Sequence, residues 1–399
     1  MSSTTARADG PVVVQRCDRF VARTMNWLYD HLRCVPRYQP LVVTDELENR
    51  AEFPELTAWQ VDKNALARSL WRRVSGNDAD PFAVRRLRRV APRALHSHFG
   101  YVAVDDLGLW KSLRVPWVIG FYGADVYALG RRDDWRRRYA EVFRACARVL
   151  ALGPVMAQHI ERLGCPADKI AVHPLGVDAS DLPEAPRTWR AGEPFKVLFA
   201  GTFREKKGVQ YSLKAIADAR KAGVPVELHL VAEATSKPGD RETEADAVRL
   251  IESLGLTDAV IRYTFLTFRE LLALALRCHV FLAPSVTAAD GDSEGTPFVL
   301  QQMMATAMPA IATVHSDIPY IFGELTHLLV AERDAPAITE RLLAYAGNPA
   351  LLAEHGRLFR ERILRNFEVR RCASSLSDLY DALLEPGREA GSASHRAGR

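Results

Sequence analysis

Residues Asp290–Thr313 read D-G-D-S-E-G-T-P-F-V-L-Q-Q-M-M-A-T-A-M-P-A-I-A-T. An apolar run, Val280–Ala283, precedes the stretch and is closed by Pro284-Ser285, and a second apolar run, Ala310–Val314, follows it. Between the two the pattern predicts a helix over Pro297–Ala307, entered through Gly295 and Thr296. Pro297 suits the first helical turn, where its missing N–H is not needed. Strand, loop, helix and strand in that order are the repeating unit of a parallel α/β sheet. The unit also has chemical consequences. A helix N-terminus presents bare N–H groups and a partial positive charge, which suit a phosphate. Glu294 stands beside it on the loop, where a carboxylate can accept hydrogen bonds from hydroxyls.

The same arrangement recurs earlier in the chain. Phe195–Ala200 is a near-continuous apolar strand of the kind buried on both faces. Gly201-Thr202-Phe203-Arg204-Glu205-Lys206-Lys207-Gly208 follows, then a helix from Val209 to Lys221. A basic loop opening a helix is a phosphate-holding arrangement. In the first half, strands are expected at Val12–Gln15, Leu41–Thr44, Ala94–His98 and Pro116–Phe121. The last two lead into His98 and into Tyr122-Gly123-Ala124-Asp125, and ligands of open α/β sheets gather at the carboxyl ends of strands. Helices are expected over Asp18–Leu32, Trp59–Ser75, Glu242–Leu254 (with Asp240 as its cap) and Cys372–Leu384, and a last strand over Thr326–Val330.

Glu294-Gly295-x-Pro297, the following helix and Pro309-Ala310-Ile311-Ala312-Thr313 resemble the donor-site signature of retaining glycosyltransferases of family 4, and Lys207-Gly208 resembles their diphosphate loop. The resemblance runs from about Asn26 to Tyr380 and comes nearest to the branch associated with exopolysaccharide assembly. It implies an α/β fold of the GT-B type: two Rossmann-like domains, a deep cleft between them, and a C-terminal helix returning to the first. It implies a nucleoside diphosphate sugar as co-substrate, with no separate cofactor and no metal. Glu294 and Lys207 would form the catalytic pair. Gly201, Thr202, Arg204, Gly295, Thr296, Pro297, Phe298 and Gln302 would complete the donor site with Lys207. His98, Tyr122, Asp125 and Thr24 would face the acceptor side, where a glycan, a lipid-linked or a small-molecule hydroxyl is expected. Three positions depart from the family pattern. Gln302 stands where a second Glu is usual, Thr202 where an Arg is usual, and Tyr122 where a His is usual; the Gly-rich loop near residue 20 is replaced by a segment holding Arg19, Arg23, Thr24 and Asn26. These departures leave a second reading open, a degenerate member that binds a nucleotide sugar or a partner enzyme without turnover. Other GT-B enzymes, such as a nucleotide-sugar epimerase or a sugar-phosphate synthase, match the Glu294 segment less well.

The bulk composition fits this class. A chain of 399 residues is too long for one ordinary core and suits two domains. The expected division is 11–185 and 186–370, with Asp181–Glu193 as hinge, a helix over 371–384, and disordered tails at 1–10 and 385–399. Six cysteines lie far apart without a C-x-x-C spacing, which argues for free thiols in a reducing compartment, with no disulfide frame or zinc site. No apolar run approaches the length needed to span a bilayer. A cytoplasmic protein is expected, at most resting on the inner face of the membrane. The first 190 residues carry 29 Lys and Arg against 22 Asp and Glu, so the basic surplus lies in the acceptor half. Runs such as Arg85-Arg86-x-Arg88-Arg89 and Arg136-Arg137-Arg138 suit a solvated surface or an anionic membrane face. Nucleic acid is not an expected partner, because no helix-turn-helix or aromatic-interleaved RNA motif is present.

Overall fold

The computed structural model of the protein describes residues 10–21, 26–61, 79–237 and 239–385. The chain divides into two compact units: residues up to Gly176 together with Val369 onward, and Val177–Glu368.

The first unit is built on a seven-stranded sheet in the order β3-β2-β1-β4-β5-β6-β7, every neighbouring pair parallel. Its strands are β1 Val12–Phe20, β2 Gln39–Leu47, β3 Thr57–Gln60, β4 Ala94–His98, β5 Trp117–Gly120, β6 Arg148–Ala151 and β7 Ile170–Val172. Helices Asn26–Arg33, Pro81–Val90, Gly100–Leu113, Asp133–Ala145 and Pro154–Arg162 connect them. Two expectations fail here. The helix placed at Asp18–Leu32 begins only at Asn26, because β1 continues to Phe20. Arg19 and Phe20 pair with Glu46 and Leu47 of β2, and Arg19 adds an ion pair of 3.1 Å to Glu46. That cross-strand support outweighs the helix-like spacing of the apolar residues. Trp59 lies on β3, not on a helix, and carries the Arg86 guanidinium 3.5 Å above its ring. Residues 62–75 of the helix expected at Trp59–Ser75, nearly all of the tails expected at 1–10 and 385–399, and Thr24 lie outside the described residues.

The second unit carries a five-stranded parallel sheet, β10-β9-β8-β11-β12. Its strands are β8 Phe195–Thr202, β9 Val226–Glu233, β10 Val260–Tyr263, β11 Val280–Ala283 and β12 Ala310–Ala312. Apolar clusters fill both faces, one around Val197, Phe199 and Leu228, the other around Leu198, Phe281 and Met303. Thr326–Val330 is not a strand. Gly323–Leu328 forms 3-10 turns, and only Val330 makes a single bridge, to Thr313. Asp240 is not a cap either; Gly239 is, and Asp240 opens the helix Asp240–Ser253 while accepting from the Thr235 N–H.

The chain passes between units at Gly176–Val177, earlier than the expected 185. Asp181–Glu193 belongs wholly to the second unit. Arg187 is buried there and donates to the carbonyls of Cys278, Thr306 and Ala275. A buried guanidinium so fully engaged anchors a segment; it does not hinge it. The last helix, Val369–Leu384, returns to the first unit, where Ala373, Leu376 and Tyr380 join a core with Val13, Val118 and Leu150.

Candidate active site

In both sheets strand order reverses next to the first strand of the unit, and the carboxyl ends at such a switch point are where doubly wound sheets bind ligands. In the second unit the switch lies between β8 and β11. The loop after β8 makes a 3-10 turn at Glu205–Lys207 and reaches its helix through Gly208, whose φ of +68° is left-handed. A Cβ at Gly208 would stand 1.9 Å from the Pro284 carbonyl oxygen, so the two loops touch backbone to backbone. The Val286 N–H donates to the Lys206 carbonyl at 2.9 Å, and the Ala289 N–H donates to Glu205 Oε2 at 3.0 Å.

Three cations and three carboxylates meet across this seam. Lys207 Nζ donates to Glu294 Oε2 at 2.8 Å. Lys206 Nζ lies 3.4 Å from Glu294 Oε1 and 3.1 Å from Asp292 Oδ1, and donates to the Ser293 carbonyl at 2.9 Å. Arg204 reaches Asp292 Oδ2 at 2.9 Å and Asp240 Oδ1 at 3.7 Å. Burial raises the Glu294 carboxyl, but Lys207 and Lys206 outweigh it and hold the group down at about 2. The two lysines differ in access: the Lys206 side chain is 8% exposed and that of Lys207 20%.

The remaining donor-side residues fall around this centre. Gly201 and Thr202 end β8, and the Lys207 stem passes 3.5 Å from where a Gly201 Cβ would be. Gly295, Thr296 and Pro297 are buried, and Thr296 Oγ1 has no hydrogen-bond partner. The helix starts at Phe298, with Pro297 as N-cap and no side chain capping it, and Gln302 lies one turn on, 7% exposed. Sequence reasoning missed Lys206, Asp292 and His315. Lys206 was hidden by its neighbour. His315 belongs to no local motif, yet its Nε2 accepts from the Glu294 N–H at 3.0 Å.

In the first unit His98 ends β4, and Tyr122 lies just past β5. The Tyr122 hydroxyl is 2.6 Å from His98 Nδ1 and folds back over Gly120, where a Cβ would meet it at 2.6 Å. His98 Nε2 contacts Gln15 Oε1 at 2.9 Å, Gln15 donates to Tyr380 Oη at 3.2 Å, and that oxygen is 2.7 Å from His96 Nδ1. Amide and phenol leave one consistent direction: Tyr122 donates to His98, His98 to Gln15, Gln15 to Tyr380, and Tyr380 to His96. Asp125 organises the loop by accepting the N–H groups of Gly100, Tyr122 and Gly123 at 2.8–3.3 Å. His31, His96, His98 and His173 surround a cavity of about 20 Å³. Burial lowers all four, His98 to about 3 and His173 to about 4.

Residues 35–181 match the family described as Glycosyltransferase Family 4, and residues 194–348 match that described as Glycosyl transferases group 1. The colanic acid biosynthesis glycosyltransferase WcaL of Escherichia coli is 30% identical over 292 residues, covering 72% of this chain and 70% of that protein. The amylovoran biosynthesis glycosyltransferase AmsK of Erwinia amylovora is 28% identical over 249 residues, covering 62% and 59%. Among solved structures, Anabaena HepE in complex with UDP and glucose superposes with a TM-score of 0.75 at 14% identity, covering 94% of this chain and all of that one. Sucrose-phosphate synthase from Thermosynechococcus elongatus gives a TM-score of 0.72 at 17% identity, covering 94% and 99%. The parallel sheets, the loops that meet at Lys207 and Glu294, and these likenesses agree: the chain belongs to glycosyltransferase family 4 and has the GT-B fold.

Proposed function

We propose that the chain is a retaining, metal-independent glycosyltransferase that moves a hexose-type group from a nucleoside diphosphate sugar to a hydroxyl acceptor. The observation that carries this reading is the 2.8 Å contact between Lys207 and Glu294, residues of two loops joined at the switch point of the second sheet. In the free protein each holds the other. An arriving diphosphate competes for Lys207, and releasing it frees Glu294 Oε2 to accept a sugar hydroxyl. Lys206 stays on the other oxygen and keeps the carboxylate charged. A carboxyl held near 2 is a poor proton donor or acceptor at neutral pH, so Glu294 serves as hydrogen-bond acceptor and counter-charge. The acceptor hydroxyl then attacks the anomeric carbon on the face from which the diphosphate departs. The sugar–phosphate C–O bond breaks, and the hydroxyl proton passes to the leaving phosphate oxygen. Lys207 and the uncapped N–H groups at Phe298 stabilise that leaving charge, commonly the largest catalytic contribution.

The names of WcaL and AmsK, which speak of colanic acid and amylovoran biosynthesis, support a polysaccharide precursor as acceptor. The exposed Phe82, Arg85 and Arg89 on one helix of the first unit suit a resting contact with an anionic membrane. One observation favours the degenerate reading: Arg204 is held by Asp292 and Asp240, so it does not stand in for the Arg that Thr202 replaces.

UDP-glucose, GDP-mannose, dTDP-glucose and ADP-glucose, screened by thermal shift and then by nucleoside diphosphate release with and without EDTA, test both readings. Lys207→Ala should weaken donor binding about 10–100-fold, the size of one charge-assisted hydrogen bond. Glu294→Gln should lower turnover far more than binding. Binding without turnover selects the degenerate member, and binding of none overturns the donor site.

A further inference from the structure

His315 follows β12 on a turn that is fixed on both sides. Thr313 Oγ1 donates to the Ser285 carbonyl at 2.5 Å, and the Ile318 N–H donates to the His315 carbonyl at 2.9 Å. The ring is buried, 2% exposed, and both nitrogens are engaged. Nε2 lies 3.0 Å from the Glu294 N–H and Nδ1 lies 2.5 Å from Glu332 Oε1. A backbone N–H only donates and a carboxylate only accepts, so the ring is the neutral tautomer with its proton on Nδ1. Glu332 in turn accepts from the Thr287 N–H at 2.9 Å. The relay therefore pins both ends of one loop, Thr287 at its start and Glu294 at its end.

We infer that His315 is a positioning residue of the donor site: it sets the backbone at Glu294 through Nε2, and Glu332 fixes the tautomer that lets it do so. This rests on the donor-site reading given above. Side chains that orient a reacting group are themselves fixed by such a hydrogen bond, and small misplacements at a site cost large factors in rate. The contact also has a chemical signature. Gln at this position can return an acceptor to the Glu294 N–H but not a donor to Glu332, whereas Asn can return the donor but not the acceptor.

The test compares His315→Ala, His315→Gln and His315→Asn in the full chain. Donor kcat and KM are measured with whichever of the four nucleotide sugars the wild type turns over, and Glu294 amide exchange is followed by NMR. Ala and Asn should lower kcat about 10–100-fold with donor KM changed far less, and the Glu294 amide should exchange faster. Gln should return both readouts to within about five-fold of wild type. Melting temperatures monitor folding, and the Gln and Asn variants, both uncharged amides, keep the comparison valid if Ala unfolds. Equal rates for Gln and Asn, or Asn better than Gln, overturn the inference and leave His315 a strut for Glu332. If the wild type turns over none of the four donors, the transferase reading fails and the positioning role in catalysis falls with it, while the exchange pattern alone decides the Glu294 contact.

Discussion

Gly208→Ala separates the two requirements that its position imposes. The residue closes the Lys206-Lys207 turn at φ +68° and ψ 27°. Any side chain there carries the left-handed backbone cost, about 1 kcal/mol for Ala. It also meets the Pro284 carbonyl oxygen, 1.9 Å from an ideal Cβ where real contacts stay at 3.0 Å or beyond, so the seam must open. Overpacking of this kind costs about 1–3 kcal/mol. Gly255 supplies the control: its φ is +65°, and nothing lies within 4 Å of its Cβ position. Gly255→Ala should therefore show the backbone cost alone, a fall in melting temperature of about 2–4 °C for a unit of this size. Gly208→Ala should fall further, by roughly another 2–4 °C for each kcal/mol of seam strain. The two losses differ functionally as well. The loops forced apart carry Lys207 on one side and Glu294 on the other, so Gly208→Ala should weaken nucleotide-sugar binding while Gly255→Ala leaves it unchanged. Thermal melts of the full chain and calorimetric titration of the bound donor provide both readouts. Equal melting shifts in the two variants, or wild-type donor affinity in Gly208→Ala, would show that the seam yields freely and does not hold the site.

Acid should unfold the two units in sequence. His31, His96, His98 and His173 have folded values below the ordinary 6.5, so their stabilising contribution is intact above it and fades as pH falls from there, towards about 3 for His98 and about 4 for His173. Glu294, depressed from 4.5 to about 2, contributes above 4.5 and loses that contribution only between those values. Near pH 5, hydrogen exchange should accelerate around β4 and Tyr380 while the Lys207–Glu294 seam stays protected; the reverse order would refute the neutral-histidine assignment. On the helix Pro81–Val90, Phe82 is 65% exposed, and Arg85 and Arg89 follow at three- and seven-residue spacing. Arg85→Glu with Arg89→Glu should cut sedimentation with phosphatidylglycerol vesicles at low salt and matter little at high salt. Unchanged sedimentation would mark the helix as an ordinary solvated face.

The sequence was most legible where one segment contains its own explanation. β8 is apolar on both faces, and the helix Val209–Lys221 follows a glycine turn, so both could be placed from local pattern. The loops of Lys207 and Glu294 could be found for the same reason, each as a strand end opening a helix. What escaped depends on distant partners. β1 runs on to Phe20 because Glu46 and Leu47 pair with it, and the four-residue edge strand at Trp59 has too short a pattern to declare itself. Arg187 reads as hinge composition until its carbonyl partners at Ala275, Cys278 and Thr306 are in view. Lys206 and His315 have no local signature at all, since each acts through a contact with a loop far along the chain.

The substitutions at the site acquire a common sense from this charge arrangement. Arg204, Lys206 and Lys207 face Asp240, Asp292 and Glu294, but unequally. Arg204 and Lys206 each bridge to Asp292, and those contacts tie the two loops together; drawing either onto a ligand would undo the seam that Gly208 makes possible. Lys207 pairs with a single carboxylate, whereas Arg204, equally exposed at about a fifth of its side chain, is held by two. On the donor-site reading, with Thr202 in place of an arginine, an incoming diphosphate would meet Lys207 and the N–H groups at the start of the helix Phe298–Ala305. Gln302 removes a carboxylate that the family pattern would place there, which offsets the positive charge missing at Thr202. The loss of one positive and one negative side chain leaves the local balance unchanged, and on the donor-site reading it would move the phosphate contacts towards the main chain. Donor binding should then depend on Lys207 more steeply than in relatives with the arginine, because Thr202 carries no charge to share the load.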